Sequence, residues 1–244
     1  MANEINQNPL IEKLFSAGAH LGYGPSRRHP SASKYIFGAK GGVELIDLEQ
    51  TAALLERALE FIQAQAKERR TILFVSGKAE GRGAIERIAR RLGQPYVSGR
   101  WIGGTLTNFS EIHKRLARLA EIATMHESGE IAKFTKHEQL LIDRDAANLE
   151  RMYGGLRGME KTPHTLFIID PRAEHTAVAE AGKLKIPVIA FLNTDCDTKG
   201  VTYPIPGNDA SRHSIELILE EAAKAYEAGL AEGAAEAAAK PVAD

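Results

Sequence analysis

Three uninterrupted apolar runs constrain what this chain can fold into: residues 71–75 (TILFV), 166–169 (LFII) and 188–192 (VIAFL). A run without polar alternation suits a strand buried on both faces, as in a parallel sheet. Helical periodicity lies between the runs. Ile85, Ile88, Ala89 and Leu92 mark one face of a helix over 84–92, and a second helix is read over 176–184. Residues 95–98 read as a further short strand and 214–230 as a closing helix. Strands alternating with helices predict an α/β domain around a mainly parallel sheet.

Ahead of this alternation, residues 5–17 read as a helix around Pro9, and 18–33 as a polar loop. Residues 35–37 and 43–46 read as a hairpin turning at Gly41-Gly42, and 48–66 as a long helix with Leu55, Leu59 and Ile62 on one face. One segment breaks the α/β pattern. Ile112, Leu116, Leu119 and Ala123 are spaced 4, 3 and 4, the seam of a coiled coil. Ile142, Leu149, Met152 and Leu156 return at spacings of 7, 3 and 4. Ser128-Gly129 separates the arms, and Thr135 with Glu138 forms a capping box for the second. The expected organisation is an α/β body over 1–109 and 157–230, with residues 110–156 protruding as an antiparallel helical hairpin. Residues 231–244 (AEGAAEAAAKPVAD) lack large apolar side chains and are expected to fray or stay disordered.

Body and hairpin meet at residues 99–109 (GRWIGGTLTNF), which hold the only tryptophan. Gly103 and Gly104 predict a sharp turn, and Thr107 or Asn108 an N-cap for the helix that follows. With no catalytic motif in it, the stretch reads as a structural junction or docking surface built around Trp101, Gly103, Gly104 and Asn108.

The net charge of −1 hides an asymmetry. Residues 1–100 carry 15 Lys and Arg against 10 Asp and Glu, whereas residues 161–244 carry 8 against 13. A basic half suits phosphate binding. Arg27, Arg28, Lys34, Lys78, Arg82, Arg87, Arg91 and Arg100 are the candidates, with Arg87 and Arg91 four apart on one helix face. No aromatic RNA-binding sheet motif is present, so recognition by backbone shape is expected.

The loop over 77–83 (GKAEGRG) follows a strand and precedes a helix, a setting that can cradle phosphate. It is neither a Walker A loop nor GxGxxG. An α/β enzyme acting on a phosphate ligand through this loop is the alternative to a binding protein. No placed general base, activated nucleophile or zinc motif supports that alternative. Asp170, Asp195 and Asp209 lie at or beyond strand ends, where open α/β sheets bind ligands, and with His20 they are weak candidates for a structural divalent cation. No other cofactor is expected. The single cysteine, Cys196, fits a reducing cytoplasm, and no apolar run reaches the roughly 20 residues of a membrane span.

Ten stretches in order resemble the bacterial small-subunit ribosomal protein S2 family: AGAHLG (17–22), RHP (28–30), YIFG (35–38), IDLEQT (46–51), LFVSG (73–77), GQPYV (93–97), RWIGGTLTNF (100–109), LFIIDP (166–171), IPVIA (186–190) and YPIPGND (203–209). His20-Leu21-Gly22-Tyr23 stands where that family usually reads HFGH. The resemblance implies a flavodoxin-like three-layer α/β domain with a coiled-coil hairpin and no catalysed reaction. It implies a ribosomal location on the solvent side of the small subunit, where head meets body. The implied partners are small-subunit rRNA and neighbouring ribosomal proteins, including the OB-repeat ribosomal protein that captures messenger RNA. Neither a membrane nor a homo-oligomer is expected.

Overall fold

The computed structural model describes residues 8–239. In chain order the elements are α1 (Pro9–Ser16), β1 (Ile36–Lys40), β2 (Val43–Ile46), α2 (Leu48–Lys67), β3 (Ile72–Val75), α3 (Ala79–Leu92), β4 (Tyr96–Val97), α4 (Phe109–Glu127), α5 (Lys136–Tyr153), β5 (Thr165–Ile169), α6 (His175–Leu184), β6 (Val188–Leu192), β7 (Tyr203–Pro206) and α7 (Arg212–Ala239).

The last five strands form one sheet in the order β4-β3-β5-β6-β7, every pair parallel. This is the order of the flavodoxin-like doubly wound fold. Period-2 alternation within each apolar run splits the core in two. Ile72, Phe74, Phe167, Ile169, Ile189 and Phe191 face α1, α2, α3 and α7. Leu73, Val75, Leu166, Ile168, Val188, Ala190 and Leu192 face α6, Trp101 and the base of the α4–α5 pair. Both sides of the sheet are therefore covered, which explains why its strands read as unbroken apolar runs.

Helices α4 and α5 pack against each other as the two arms of a hairpin. The capping box at Thr135 and Glu138 is present, and Gly129 takes a left-handed conformation in the connection. Polar contacts cross between the arms, from His126 to Asp143 (3.0 Å) and as an ion pair from Arg118 to Asp145 (3.9 Å). The seam departs from a heptad. Ile122, not Ala123, is buried beside Ile112 and Leu119, with Leu116 half-buried. Ile112, Leu149, Tyr153 and Leu156 join the same core as Val97 and Leu106, so the base of the hairpin is continuous with the body.

Several boundaries differ from the sequence reading. Helix α3 begins at Ala79, not 84, so Gly81, Arg82 and Gly83 lie in its first turns rather than in a loop. Helix α7 runs to Ala239 and takes in most of the stretch expected to fray; residues 240–244 lie outside the described residues. Alanine supplies helix propensity, and α2 supplies a surface. A Cβ at Gly229 or Gly233 would collide with the backbone of α2 at Gln63 and Lys67, so glycine is what lets the two helices meet this closely. Glu232 accepts a hydrogen bond from Gln63 and Glu236 pairs with Lys67 across the same contact. The first expected helix is shorter, Pro9–Ser16, with Asn8 as its cap; residues 5–7 lie outside the described residues.

Candidate functional site

The crevice at the carboxyl ends of β3 and β5 is where the sheet order reverses and where such folds bind ligands. Here the chain's own side chains fill it. Lys78 lies 2.7 Å from Oδ2 of Asp170 and 2.9 Å from Oδ2 of Asp209. The second contact is an ion pair by distance rather than an aligned hydrogen bond. Asn193 donates to the other oxygen of Asp209 at 3.2 Å. Cys196, fully buried, brings Sγ to 3.6 Å from Oδ1 of Asp170. Asp170 itself sits in the left-handed region at φ 62°. Its Oδ1 accepts from the amides of Arg172 and Ala173, the local bonding that lets an aspartate hold this conformation.

Burial pushes the Asp209 carboxyl up to about 6, and repulsion from Asp170 adds to this against the opposing pull of Lys78. Burial opposes charge on Lys78, yet Asp209 and Asp170 together drive its pKa upward. Burial, then the aspartates, raise the Cys196 thiol, so it stays protonated and unreactive.

This geometry revises several sequence candidates. Lys78 is spent on two internal carboxylates and offers no free charge to phosphate. The Gly77 amide donates to Glu174 Oε1 at 2.8 Å, so the strand–helix turn does not present it to a ligand. Of the cation candidates, Asp170 and Asp209 meet, and Cys196 joins them within 4.8 Å; Lys78 supplies the positive charge there. His20 lies apart, stacked on Phe15 at 4.4 Å, and Asp195 pairs with Arg172 at 2.6 Å.

The junction at 99–109 is held by a residue with no sequence signal of its own. Glu180 of α6 is nearly buried, and its Oε1 accepts from Trp101 Nε1 (3.1 Å) and the Gly104 amide (2.8 Å). Its Oε2 accepts from the amides of Leu106 (3.0 Å) and Thr107 (3.1 Å) and from Thr107 Oγ1 (3.1 Å). Burial would raise this carboxyl, but the donors of Thr107, Trp101, Gly104 and Leu106 outweigh it and hold the pKa below the ordinary range. The expected side-chain N-cap is absent. Asn108 occupies the cap position but makes no capping bond. Gly104, at φ 91°, is the glycine the turn requires; Gly103 has no positive φ. Gly104→Val should cost about 1–3 kcal/mol, since a β-branched residue is strained there, and urea unfolding would show it as a lower midpoint.

The basic candidates fall into separate groups. Arg87 and Arg91 face α7, where Arg87 meets Glu216 (3.5 Å) and Arg91 meets Glu220 (2.9 Å) and Glu227 (3.0 Å). They form no common stripe with the others, because α3 packs against the acidic C-terminal helix. Arg28 reaches Glu44, itself buried, at 3.4 Å. Arg27 lies over the Tyr23 ring and Lys34 over Tyr35, both exposed. Arg82 is tied by Nε to the Ser98 carbonyl at 2.7 Å, and Arg100 is exposed. Exposed large apolar side chains form two groups, with Leu184 on α6 apart: Phe15, Leu21, Val43 and above all Phe37, 80% exposed at an irregularity of the β1–β2 ladder, on the N-terminal segment, and Phe134, Leu140 and Leu141 on the hairpin.

The ligand crevice of this α/β domain is thus closed by its own lysine, and cations unpaired among the described residues, such as Arg27, Lys34 and Arg100, lie on the outside. The family model for ribosomal protein S2 matches residues 14–229, and the chain belongs to that family. It is a small-subunit ribosomal protein, a structural component and not an enzyme. The small ribosomal subunit protein uS2 of Mycolicibacterium vanbaalenii is 42% identical, over 96% of this chain and 88% of that protein. The protein of the same description from Mycobacteroides abscessus is 42% identical, over 90% of this chain and 79% of its own length. That from Salinispora tropica is 43% identical, over 90% and 75%. Among the described residues no helix is long and apolar enough to cross a membrane.

Proposed function

We propose that this protein braces small-subunit rRNA where head and body meet, and that its N-terminal segment offers a docking surface to neighbouring ribosomal proteins, among them the OB-repeat protein that captures messenger RNA. The observation that carries the RNA half is the set of exposed cations outside any ion pair among the described residues. Arg27, Lys34, Lys40 and Arg100 remain open while the acidic residues of α7 are turned against α2 and α3. A chain of net charge −1 thus keeps a positive surface for phosphate. The exposed Phe15, Leu21 and Phe37 support the protein half, because exposed apolar groups mark an interaction surface; Phe134, Leu140 and Leu141 on the hairpin are a second such group.

Sucrose-gradient fractionation of gently lysed cells tests the reading. The protein is expected to sediment with small subunits, and a Phe37→Ser variant to stay there while losing the OB-repeat protein from the same fraction. A wholly free pool beside intact subunits would refute the RNA half, and full retention of the OB-repeat protein would refute the other.

A further inference from the structure

Two cavities of about 860 and 680 Å³ lie side by side at the outer edge of the sheet, beside the short edge strand β4. They share Arg90, Tyr96, Glu150, Gly154 and Gly155, so they form one continuous trough. Helix α3 walls one side, and the base of α5 with the turn after it walls the other. Six cationic side chains line it, Arg82, Arg90, Arg100, Arg151, Arg157 and Lys161, against three carboxylates. Two of those carboxylates are already engaged: Glu86 accepts from Ser98 Oγ at 2.6 Å, and Glu150 pairs with Arg157.

Several of the cations are held in place before any partner arrives. Arg90 lies over the Tyr96 ring at 5.6 Å and donates to its hydroxyl from Nε (3.1 Å) and a terminal nitrogen (2.8 Å). Arg82 is fixed through Nε, and its terminal nitrogens make no hydrogen bond among the described residues. Arg151 is steadied by Asn148 at 3.0 Å. Arg100 and Lys161 have no ion-pair partner among the described residues and are exposed. The arginines of helix α3 are divided: Arg87 and Arg91 reach the carboxylates of α7, whereas Arg82 and Arg90 line the trough, where Arg90 also lies 3.9 Å from Glu86.

We propose that this trough seats a sugar–phosphate backbone of rRNA. The inference rests on the rRNA reading above and assigns it a place, using Arg151 and Lys161 in addition to Arg82 and Arg100, while Arg90 and Arg157 stand beside Glu86 and Glu150. Planar guanidinium forks match phosphate oxygens two at a time, and fixing them in advance lowers the ordering cost of binding. Of the apolar residues in the walls, Val97, Trp101 and Met159 are buried and Tyr96, Ile102 and Met152 half-buried, so what marks the trough is its excess of cations.

The test uses the full chain and small subunits stripped of their own copy of this protein. Affinity is measured across a potassium chloride series for wild type, for Arg100→Ala/Arg151→Ala/Lys161→Ala, and for Arg87→Ala/Arg91→Ala as the comparison on the α7 face. The triple variant should flatten the log–log salt slope by about 2–3, at roughly 0.7–0.9 per lost phosphate contact, while the comparison variant keeps the wild-type slope. A photo-cross-linking residue at position 161 of the otherwise native chain should join to rRNA. An unchanged slope in the triple variant, or cross-links to protein alone, overturns the trough with the rRNA reading intact. Failure of the wild-type chain to bind the stripped subunits overturns both.

Discussion

Replacing Lys78 with methionine is expected to cost about 3–5 kcal/mol at neutral pH, because it leaves buried carboxylates without their counter-charge. Methionine keeps much of the volume of the lysine stem, so lost packing is a minor part of the effect. Asp209 is fully buried and Asp170 nearly so. The pH dependence separates charge from packing. Asp209 has a folded pKa raised to about 6, so its contribution is complete below the ordinary aspartate value of about 3.9 and is lost as pH rises through 6. Lys78 also has a raised pKa, so the stability it contributes persists through neutral pH and disappears only in alkali. Without that lysine, the Asp209 carboxyl rises further and the variant is least unstable in mild acid. Urea midpoints at about pH 5 and pH 8 should therefore differ more between variant and wild type at the higher pH. Equal gaps at both would mean that Lys78 acts through packing alone.

Glu180→Gln should destabilise the protein by about 2–4 kcal/mol, at roughly 1–3 kcal/mol for each buried donor left unmet. One carboxylate oxygen serves Trp101 and Gly104, and the other serves Leu106 and Thr107. Whichever way a glutamine amide turns, it sets a donor against one of these pairs. The carboxyl's folded pKa is depressed, so its stabilisation is present above the ordinary glutamate value of about 4.3 and is lost as pH falls through the folded value. Trp101 is the only tryptophan and bonds directly to this carboxylate, so its fluorescence reports the contact. Acidification should shift the emission of the wild type, while E180Q should show a shifted emission already at neutral pH. Identical spectra for the two across that range would contradict the role given to Glu180.

The sheet and both arms of the hairpin were legible in the sequence because burial on two faces, heptad-like spacing and a capping box are local patterns. Long-range partners were not. Nothing near Arg87 or Arg91 announces Glu216 and Glu220, which lie 129 residues further along and reach them only through the packing of α3 on α7. Glu180 reads as one more polar residue of a helix until the junction folds over it. Gly81 and Gly83 weaken the start of α3 in isolation, and tertiary packing overrides their low propensity. At the end of the chain the alanine content did carry a helix signal, but only close contact with α2 shows why the helix continues past Leu230.

Helix α7 lies along α2, and the core they share joins Leu14, Leu55 and Ile62 to Ile218, Leu219 and Tyr226. During synthesis, α2 emerges more than a hundred residues before the surface that covers it. Strand β3, next to the edge of the sheet, likewise waits for β5, on the far side of the hairpin. Its first available neighbour is the two-residue edge strand β4. A nascent chain stalled before α7 would therefore carry apolar faces of α2 and α3 open to chaperones and proteases. Ribosomes that release the chain intact would be the condition for making one of their own parts.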